Sequence, residues 1–284
     1  MLSEIKKISS LLLSVAFSSI GFIASITVTV LAAREVSSNP LFVGFPNAVG
    51  VGGAVLGTRM IYLISKNNSQ LNALAFTFLI GAFGGAIMFY SLIVDSFVLL
   101  LFGAFILGIG QSATLQTRYA ASFVASEKFK ATALSLAVWF SVFGSVFGPR
   151  MVGSYSNFFE NIFNSELIVG YVIALVGMLF AASSVFIFTS KKSILRSPSN
   201  LESELNNQNS NKKNGNLLSL LLVLNHFTMV VIMSATPLHI QDIGETVQLV
   251  GIIISYHTLG MFLFSPILGT VSYTHLTLPT TPYV

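Results

Sequence analysis

Polar side chains within long apolar runs are the residues of this chain whose types suit chemistry. His226 and His257 lie inside two such runs. Histidine changes charge near neutral pH, so either residue could bind a proton or contact a substrate. A neutral histidine hydrogen-bonded between helices is the alternative, and the residues alone leave both interpretations open. Asn47, Asn225 and Gln111 add uncharged polar groups in other parts of these runs.

Arg118 lies seven residues after Gln111, at the end of the same run. A long cationic side chain near the end of a membrane helix can reach the lipid headgroups without any other role. Its position after Gln111 favours the alternative, that it faces a central cavity. The predicted lining of a substrate path is therefore Asn47, Gln111, Arg118, Asn225, His226 and His257.

Acidic residues are absent from the middle of every apolar run. All ten Asp and Glu lie in or beside polar segments, which argues against a carboxylate proton relay in this part of the protein. The chain has no His-Glu-x-x-His, no phosphate-binding Gly-rich loop and no Gly-x-Ser-x-Gly, so we predict no enzyme activity. It also has no cysteine, and we expect neither a metal nor a cofactor.

The elements that position these residues must lie in lipid. Hydrophobic residues make up 54% of the 284 positions and charged residues only 8%. A soluble domain carries about 25% charged residues, so this chain has too little charge to cover a water-facing surface. A bilayer core of about 30 Å needs roughly 20 apolar residues in a helix. Eight stretches meet that length or nearly do, namely Ile8–Ala33, Leu41–Ser65, Leu71–Val94, Ser96–Thr117, Ala131–Pro149, Leu167–Ser190, Leu217–Ile240 and Val247–Thr270.

These runs are longer than the strands of a membrane barrel and are apolar on every side, so an all-α polytopic membrane protein is predicted. With these boundaries, Arg59 is the one charged residue inside a span. The first run exceeds the apolar core of about 7–15 residues in a cleaved signal peptide, so it is interpreted as a membrane helix.

The distribution of Lys and Arg predicts a cytoplasmic amino terminus. In that orientation the outer side holds two basic residues, Arg34 and Arg150. The inner side holds the other twelve, which are Lys6, Lys7, Arg59, Lys66, Arg118, Lys128, Lys130, Lys191, Lys192, Arg196, Lys212 and Lys213. This bias follows the positive-inside rule of membrane proteins. It also explains the formal charge of +4 without a nucleic-acid partner.

The polar segment 191–216 divides the chain into two blocks of spans. It is rich in Asn and cannot bury enough apolar surface to fold, so we expect a flexible cytoplasmic linker. The predicted domains are a six-helix bundle at 1–190, this linker, and the first two helices of a second bundle at 217–270. Residues 271–284 cluster Thr and Pro and resemble a translated sequencing adapter. We expect a non-native tail there, and a chain that is truncated after about eight helices.

A motif in the fifth span carries a resemblance to a known family. Gly144, Gly148-Pro149 and Gly153 resemble the fifth-helix antiporter motif of the major facilitator superfamily (MFS). The spacing of Gly144 and Gly148 gives a flat face for a neighbouring helix, and Pro149 permits a bend. The stretch Met233–His239 is similar to a bacterial subgroup of the same superfamily.

Two positions depart from the superfamily pattern. The loop after the second span has one cation and no acid, where standard members have an Asp-Arg pair and further basic residues. In the fourth span, Gly108-Ile-Gly110 is present, but Ala104 stands where the motif has an Arg. This second departure puts proton coupling through that Arg in doubt.

The resemblance implies a secondary active transporter that moves a small organic solute by alternating access across the inner (cytoplasmic) membrane. It implies coupling to a proton or ion gradient, and the fifth-span motif favours antiport and hence export. A proton-linked uptake carrier is the alternative within this class. A non-transporting membrane scaffold or a membrane enzyme is the alternative from another class. As a truncated piece, the chain is expected to be inactive in transport.

Overall fold

The computed structural model describes residues 2–37, 39–126, 129–189 and 212–276, and the described residues contain helices and no strand. The α-helices are α1 (Leu2–Val36), α2 (Phe45–Asn67), α3 (Gln70–Ile93), α4 (Phe97–Val124), α5 (Lys130–Trp139), α6 (Ser141–Phe163), α7 (Ile168–Thr189), α8 (Lys212–Asp242), α9 (Val247–Phe262) and α10 (Ser265–Leu276). A short 3-10 turn at Pro40–Phe42 precedes α2.

Eight helical segments of the described residues are long and apolar enough to cross a membrane. Six of them are α1 to α4, α7 and α8, each allowing for its polar ends. The fifth span, Lys130–Phe163, joins α5 and α6, and the eighth, Val247–Gly269, joins α9 to the start of α10. The predicted all-α polytopic membrane class is therefore confirmed.

The predicted ends of two spans were wrong. The fourth continues past Thr117 to Val124, so Arg118 lies inside a helix. The fifth does not stop at Pro149 but continues to Phe163, which places Arg150 within the span. Arg59 is thus not the one charged residue in a span. Proline is tolerated inside a membrane helix because its neighbours can compensate the lost backbone hydrogen bond.

The boundaries of the polar segments also differ from expectation. Helix α8 begins at Lys212, so the last five residues assigned to the 191–216 linker are helical. The rest of that linker, residues 191–211, lies outside the described residues. Of the predicted tail, Val271–Leu276 belongs to α10, and 277–284 lie outside the described residues.

Helix α1 forms the centre of the first block and packs against α4, α6 and α7. Its hydroxyl groups are largely satisfied within the helix itself. Thr27 donates to the Ile23 carbonyl at 2.8 Å, and Thr29 donates to the Ser25 carbonyl at 2.7 Å. These bonds let a serine- and threonine-rich helix be buried without unpaired donors.

Glycines set the close approach of the other helices. Atoms of Ala174 in α7 lie 3.0 Å from the point where a Cβ on Gly21 of α1 would stand. A Cβ on Gly84 of α3 would collide with the backbone of Leu107 in α4. In lipid there is no hydrophobic drive between helices, so such small-residue contacts supply much of the packing energy.

The second block joins the first along one seam. Helix α9 packs along α6, and α10 packs against α5. Two hydroxyls reach across this seam: Ser255 donates to the Ser145 carbonyl at 2.8 Å, and Ser265 donates to the Ser135 carbonyl at 3.3 Å. Helix α8 makes few contacts within the described residues. Most of them are with α1 and α9, and one hydrogen bond joins it to α2.

Candidate functional site

A cavity of about 430 Å³ lies between α8 and α9 of the second block and the helices of the first block. A volume of this size is in the range of small-molecule binding sites. Most of its lining is apolar, from Phe22, Ile23, Leu107, Met229 and Met261 among others. Ten of the lining residues have polar side chains, and these give the cavity its chemistry.

Among the described residues that line the cavity, Arg118 is the one Lys or Arg. Its Nη2 donates to the hydroxyl of Ser141 at 3.0 Å, and its guanidinium carbon lies 5.6 Å from the centre of the Phe262 ring. The first contact joins α4 to the start of α6, and the second joins α4 to the end of α9. The Nε of Arg118 is buried and has no hydrogen-bond partner in the described structure.

Ser141 lies where the fifth span is interrupted. Helix α5 ends at Trp139 and α6 begins at Ser141, with Phe140 between them. The Ser141 hydroxyl also accepts a hydrogen bond of 3.3 Å from Ser19 of α1. Three helices thus meet at one small side chain beside the guanidinium, which fixes the position of Arg118.

Gln111 and Asn47 supply uncharged polar groups to the cavity wall. Gln111 lies seven residues before Arg118, so the two share one face of α4 about 10 Å apart along the helix. The Gln111 Oε1 is buried without a partner in the described residues. Asn47 of α2 donates from Nδ2 to Ser234 of α8 at 3.1 Å, which links the two blocks across the cavity.

Four of the six residues predicted to line the path border this cavity: Asn47, Gln111, Arg118 and His226. Asn225 and His257 do not border it, and both are exposed on α8 and α9. Each stands one position before a residue that does border it, His226 and Thr258 respectively. One residue turns a helix by about 100°, so each points to a different side.

The Gly-Pro motif packs α6 on two other helices. A Cβ on Gly148 would stand 2.8 Å from the Ile20 carbonyl oxygen of α1, and one on Gly144 would stand 2.6 Å from the Ser19 carbonyl carbon. On the other side, a Cβ on Gly153 would stand 2.8 Å from the Gln248 Cα of α9. A Cβ on Gly251 of α9 would meet the Pro149 carbonyl. The motif is therefore the contact surface between α1, α6 and α9.

Charged residues meet at one end of the bundle. Arg34 of α1 bonds Asp242 of α8 at 2.6 Å, with both side chains about half exposed. Exposed pairs of this kind contribute at most about 1 kcal/mol, so the bond aligns helix ends more than it stabilises them. Nearby, the loop residue Glu166 is half-buried; burial, and secondly the charge of Glu160, raise the pKa of its carboxyl above the ordinary value of 4.5.

Sequence reasoning missed Ser141 and Phe262, which lie against the Arg118 guanidinium. Ser141 is an ordinary small residue in an apolar run, and no spacing pairs it with a residue 23 positions away. Phe262 is one of 25 phenylalanines in the chain. Ser234 lies within the Met233–His239 stretch that carried the family resemblance, and that stretch was the available signal for it.

Proteins similar in sequence are known for most of the length of this chain. The chain is similar to two proteins of Bacillus subtilis (strain 168), the uncharacterized MFS-type transporters YdeG and YddS. It is 27% identical to YdeG over 91% of its own length, and 28% identical to YddS over 93%. It spans 63% of the length of each relative. No family model matches the chain, and no solved structure matches it.

The resemblance to the major facilitator superfamily is confirmed by these two relatives and by the eight apolar helices. The chain is therefore a multi-pass membrane protein similar to MFS-type transporters. Their names give a kind of protein and no substrate, coupling ion or direction.

Proposed function

We propose that this chain is the larger part of a secondary active transporter that moves a small organic solute by alternating access. The main support for this proposal is the cavity. It lies between two helix blocks, has polar groups in an apolar wall, and is bordered by helices that a glycine- and proline-containing surface allows to approach closely. Similarity to MFS-type transporters makes a scaffold or a membrane enzyme the weaker alternative.

The finer features of the proposal rest on the sequence. Basic residues favour a cytoplasmic amino terminus in the inner membrane of the cell. The Gly-Pro motif favours antiport, hence export, over proton-linked uptake. Coupling to a proton or ion gradient is part of the proposal, and His226 is the described lining residue best suited to carry a proton.

The roles of the individual site residues are also proposals. Asn47, Gln111, Arg118 and His226 are proposed to contact the solute. Asn225 and His257 remain proposed path residues, on faces of α8 and α9 that do not border this cavity. The six spans of residues 1–190 and the helices that follow the linker are proposed to be the two units that rock about the cavity.

Water access at Gln111 tests the proposal. The chain has no cysteine, so Gln111→Cys places a single thiol on the cavity wall. A transporter exposes this position to water in at least one of its states, so the thiol reacts with a charged thiol reagent in sealed membrane vesicles.

Phe83→Cys is the matched control for this measurement. Phe83 is 61% exposed on α3 and does not border the cavity, so in a bilayer it faces lipid. A charged reagent is expected to leave it unmodified. If the cysteine at 111 is as inert as the one at 83 from both sides, the cavity is sealed and the transporter proposal is wrong.

A further inference from the structure

The charge of the cavity wall points to a substrate class. Arg118 contributes a formal positive charge, and none of the described residues that line the cavity is acidic. A guanidinium at membrane depth is costly unless its charge is balanced. Here its neighbours are a hydroxyl and an aromatic ring, and neither carries a negative charge.

The guanidinium also has hydrogen-bonding capacity left. The Ser141 hydroxyl accepts a hydrogen bond from Nη2, and the Phe262 ring lies near the guanidinium carbon. The Nε atom is buried and has no hydrogen-bond partner in the described structure. An unpaired buried donor is unfavourable, and an ionised acceptor would remove that cost. A guanidinium and a carboxylate match in shape, and together they can form two parallel hydrogen bonds.

The rest of the wall suits an apolar body. Phe22, Ile23, Met229, Met233 and Met261 border the same space. Methionine side chains are flexible and polarisable, so they adapt to apolar groups of different shapes. Gln111 adds a buried oxygen without a partner, which can accept one hydrogen bond from a ligand.

We propose that the cavity binds a small organic anion, a compound with one carboxylate and a compact apolar body, and that Arg118 contacts the carboxylate. This inference rests on the proposed function, since it names the class of solute that the cavity takes. Ser141 and Phe262 are the positioning residues that hold the guanidinium toward the cavity.

A matched series of three ligands tests the substrate class. Adamantane-1-carboxylate, adamantane-1-carboxamide and 1-adamantylamine share one apolar cage and differ in charge. Binding to the whole chain in phosphatidylcholine nanodiscs is followed by the emission of Trp139, the one tryptophan of the chain, which lies two residues before Ser141. The carboxylate is expected to bind at least about tenfold more tightly than the amide, because bonds between charged partners are worth more than neutral ones.

Arg118 variants separate a binding role from a structural one. Arg118→Gln is expected to lower carboxylate affinity by about tenfold or more and to leave amide affinity nearly unchanged. Arg118→Lys keeps the positive charge but loses the planar set of donors. Its carboxylate affinity is expected to lie between those of the unmodified chain and Arg118→Gln. If Arg118 merely joins α4 to its neighbours, the glutamine variant weakens all three ligands equally, and the proposal is overturned.

If a variant fails to fold, the affinities of the unmodified chain for the three ligands still test the proposal. Amide or amine binding as tight as that of the carboxylate, or no carboxylate binding, overturns the anionic class. Failure of the transporter proposal has a different signature, since a thiol at position 111 would then not react from either side. A reactive thiol at 111 together with preferred amine binding would mean that only the substrate class is wrong.

Discussion

Gly52 and Gly53 are neighbours in α2, yet they differ sharply in what surrounds them. A Cβ on Gly53 would collide with the Phe105 carbonyl of α4, whereas a Cβ on Gly52 would meet nothing within 4 Å. Gly53→Ala is therefore expected to destabilise the protein by about 1–3 kcal/mol, because it forces two helices apart. Gly52→Ala is expected to be neutral or stabilising by up to about 1 kcal/mol, since alanine favours a helix.

Thermal unfolding of both variants in the same detergent measures this difference. The two substitutions add the same methyl group to adjacent positions, so effects on helix propensity cancel in the comparison. Equal melting temperatures would contradict the close packing of α2 on α4.

Glu166 gives a prediction for pH dependence. Its carboxyl lies outside the membrane spans, and its pKa is raised by burial and by the charge of Glu160. A raised pKa means that the folded state holds this proton more tightly than the unfolded state does. The contribution of the Glu166 carboxyl to stability is then greatest at low pH. It falls as pH rises from the ordinary value of 4.5 through the folded-state pKa.

Glu166→Gln removes the ionisable group, so we expect a smaller loss of stability over that pH range and a more stable protein at neutral pH. Unfolding temperatures from about pH 4 to about pH 8 test this. Glu245→Gln, at an exposed position of another loop, is the control for removing a carboxyl. A variant at 166 whose stability follows the same pH curve as the unmodified chain would refute the prediction.

Residue types alone found part of the site. Asn47, Gln111, Arg118 and His226 stood out because polar groups inside apolar runs are rare, and all four border the cavity. Asn225 and His257 met the same criterion but turn to other sides. Ser141 could not be found, because its role depends on a contact between residues 23 positions apart that no local pattern encodes.

At the scale of helices, α2 and α8 are predicted to face each other across the cavity. Asn47 and Ser234 are hydrogen-bonded at 3.1 Å, although 187 positions separate them in the chain. The pair Asn47→Cys and Ser234→Cys is therefore expected to react efficiently with a short thiol-to-thiol crosslinker. A protease site inserted between residues 191 and 211 allows the chain to be cut between the two blocks. Crosslinked blocks then run together on a gel, and blocks that are not crosslinked run separately.

Ile232→Cys paired with Asn47→Cys is the matched control. Ile232 lies two residues before Ser234 at nearly the same depth, but about 200° around the helix, and its side chain is 52% exposed. Crosslinking of 47 to 232 as efficient as that of 47 to 234 would show that α8 does not hold the orientation described.

The number of spans could be predicted because each apolar run is long enough to cross lipid on its own. Their ends could not, because a helix continues wherever its flanking residues find partners. Helix α4 continues past Arg118, whose guanidinium bonds Ser141. The fifth span continues past Pro149, where the backbone packs against Gly251.

At the scale of the whole molecule, the helix ends sort onto two sides. Arg34 at the end of α1 bonds Asp242 at the end of α8, and Glu35 accepts a hydrogen bond of 3.5 Å from Ser165. The ends of α1, α6 and α8 therefore meet on one side, as an antiparallel bundle requires. The sequence predicts that most of the basic residues lie on the opposite side, and the positive-inside rule predicts that this side is cytoplasmic.

Side-specific labelling of single cysteines tests most directly whether the chain crosses the membrane as described. Asp95 and Ile243 lie in loops on the predicted outer side, and Asn68 lies in the loop between α2 and α3 on the predicted inner side. A membrane-impermeant maleimide added to intact cells is expected to label Asp95→Cys and Ile243→Cys. It should label Asn68→Cys only after the cells are opened. Labelling of all three in intact cells, or the reverse pattern, would contradict the account.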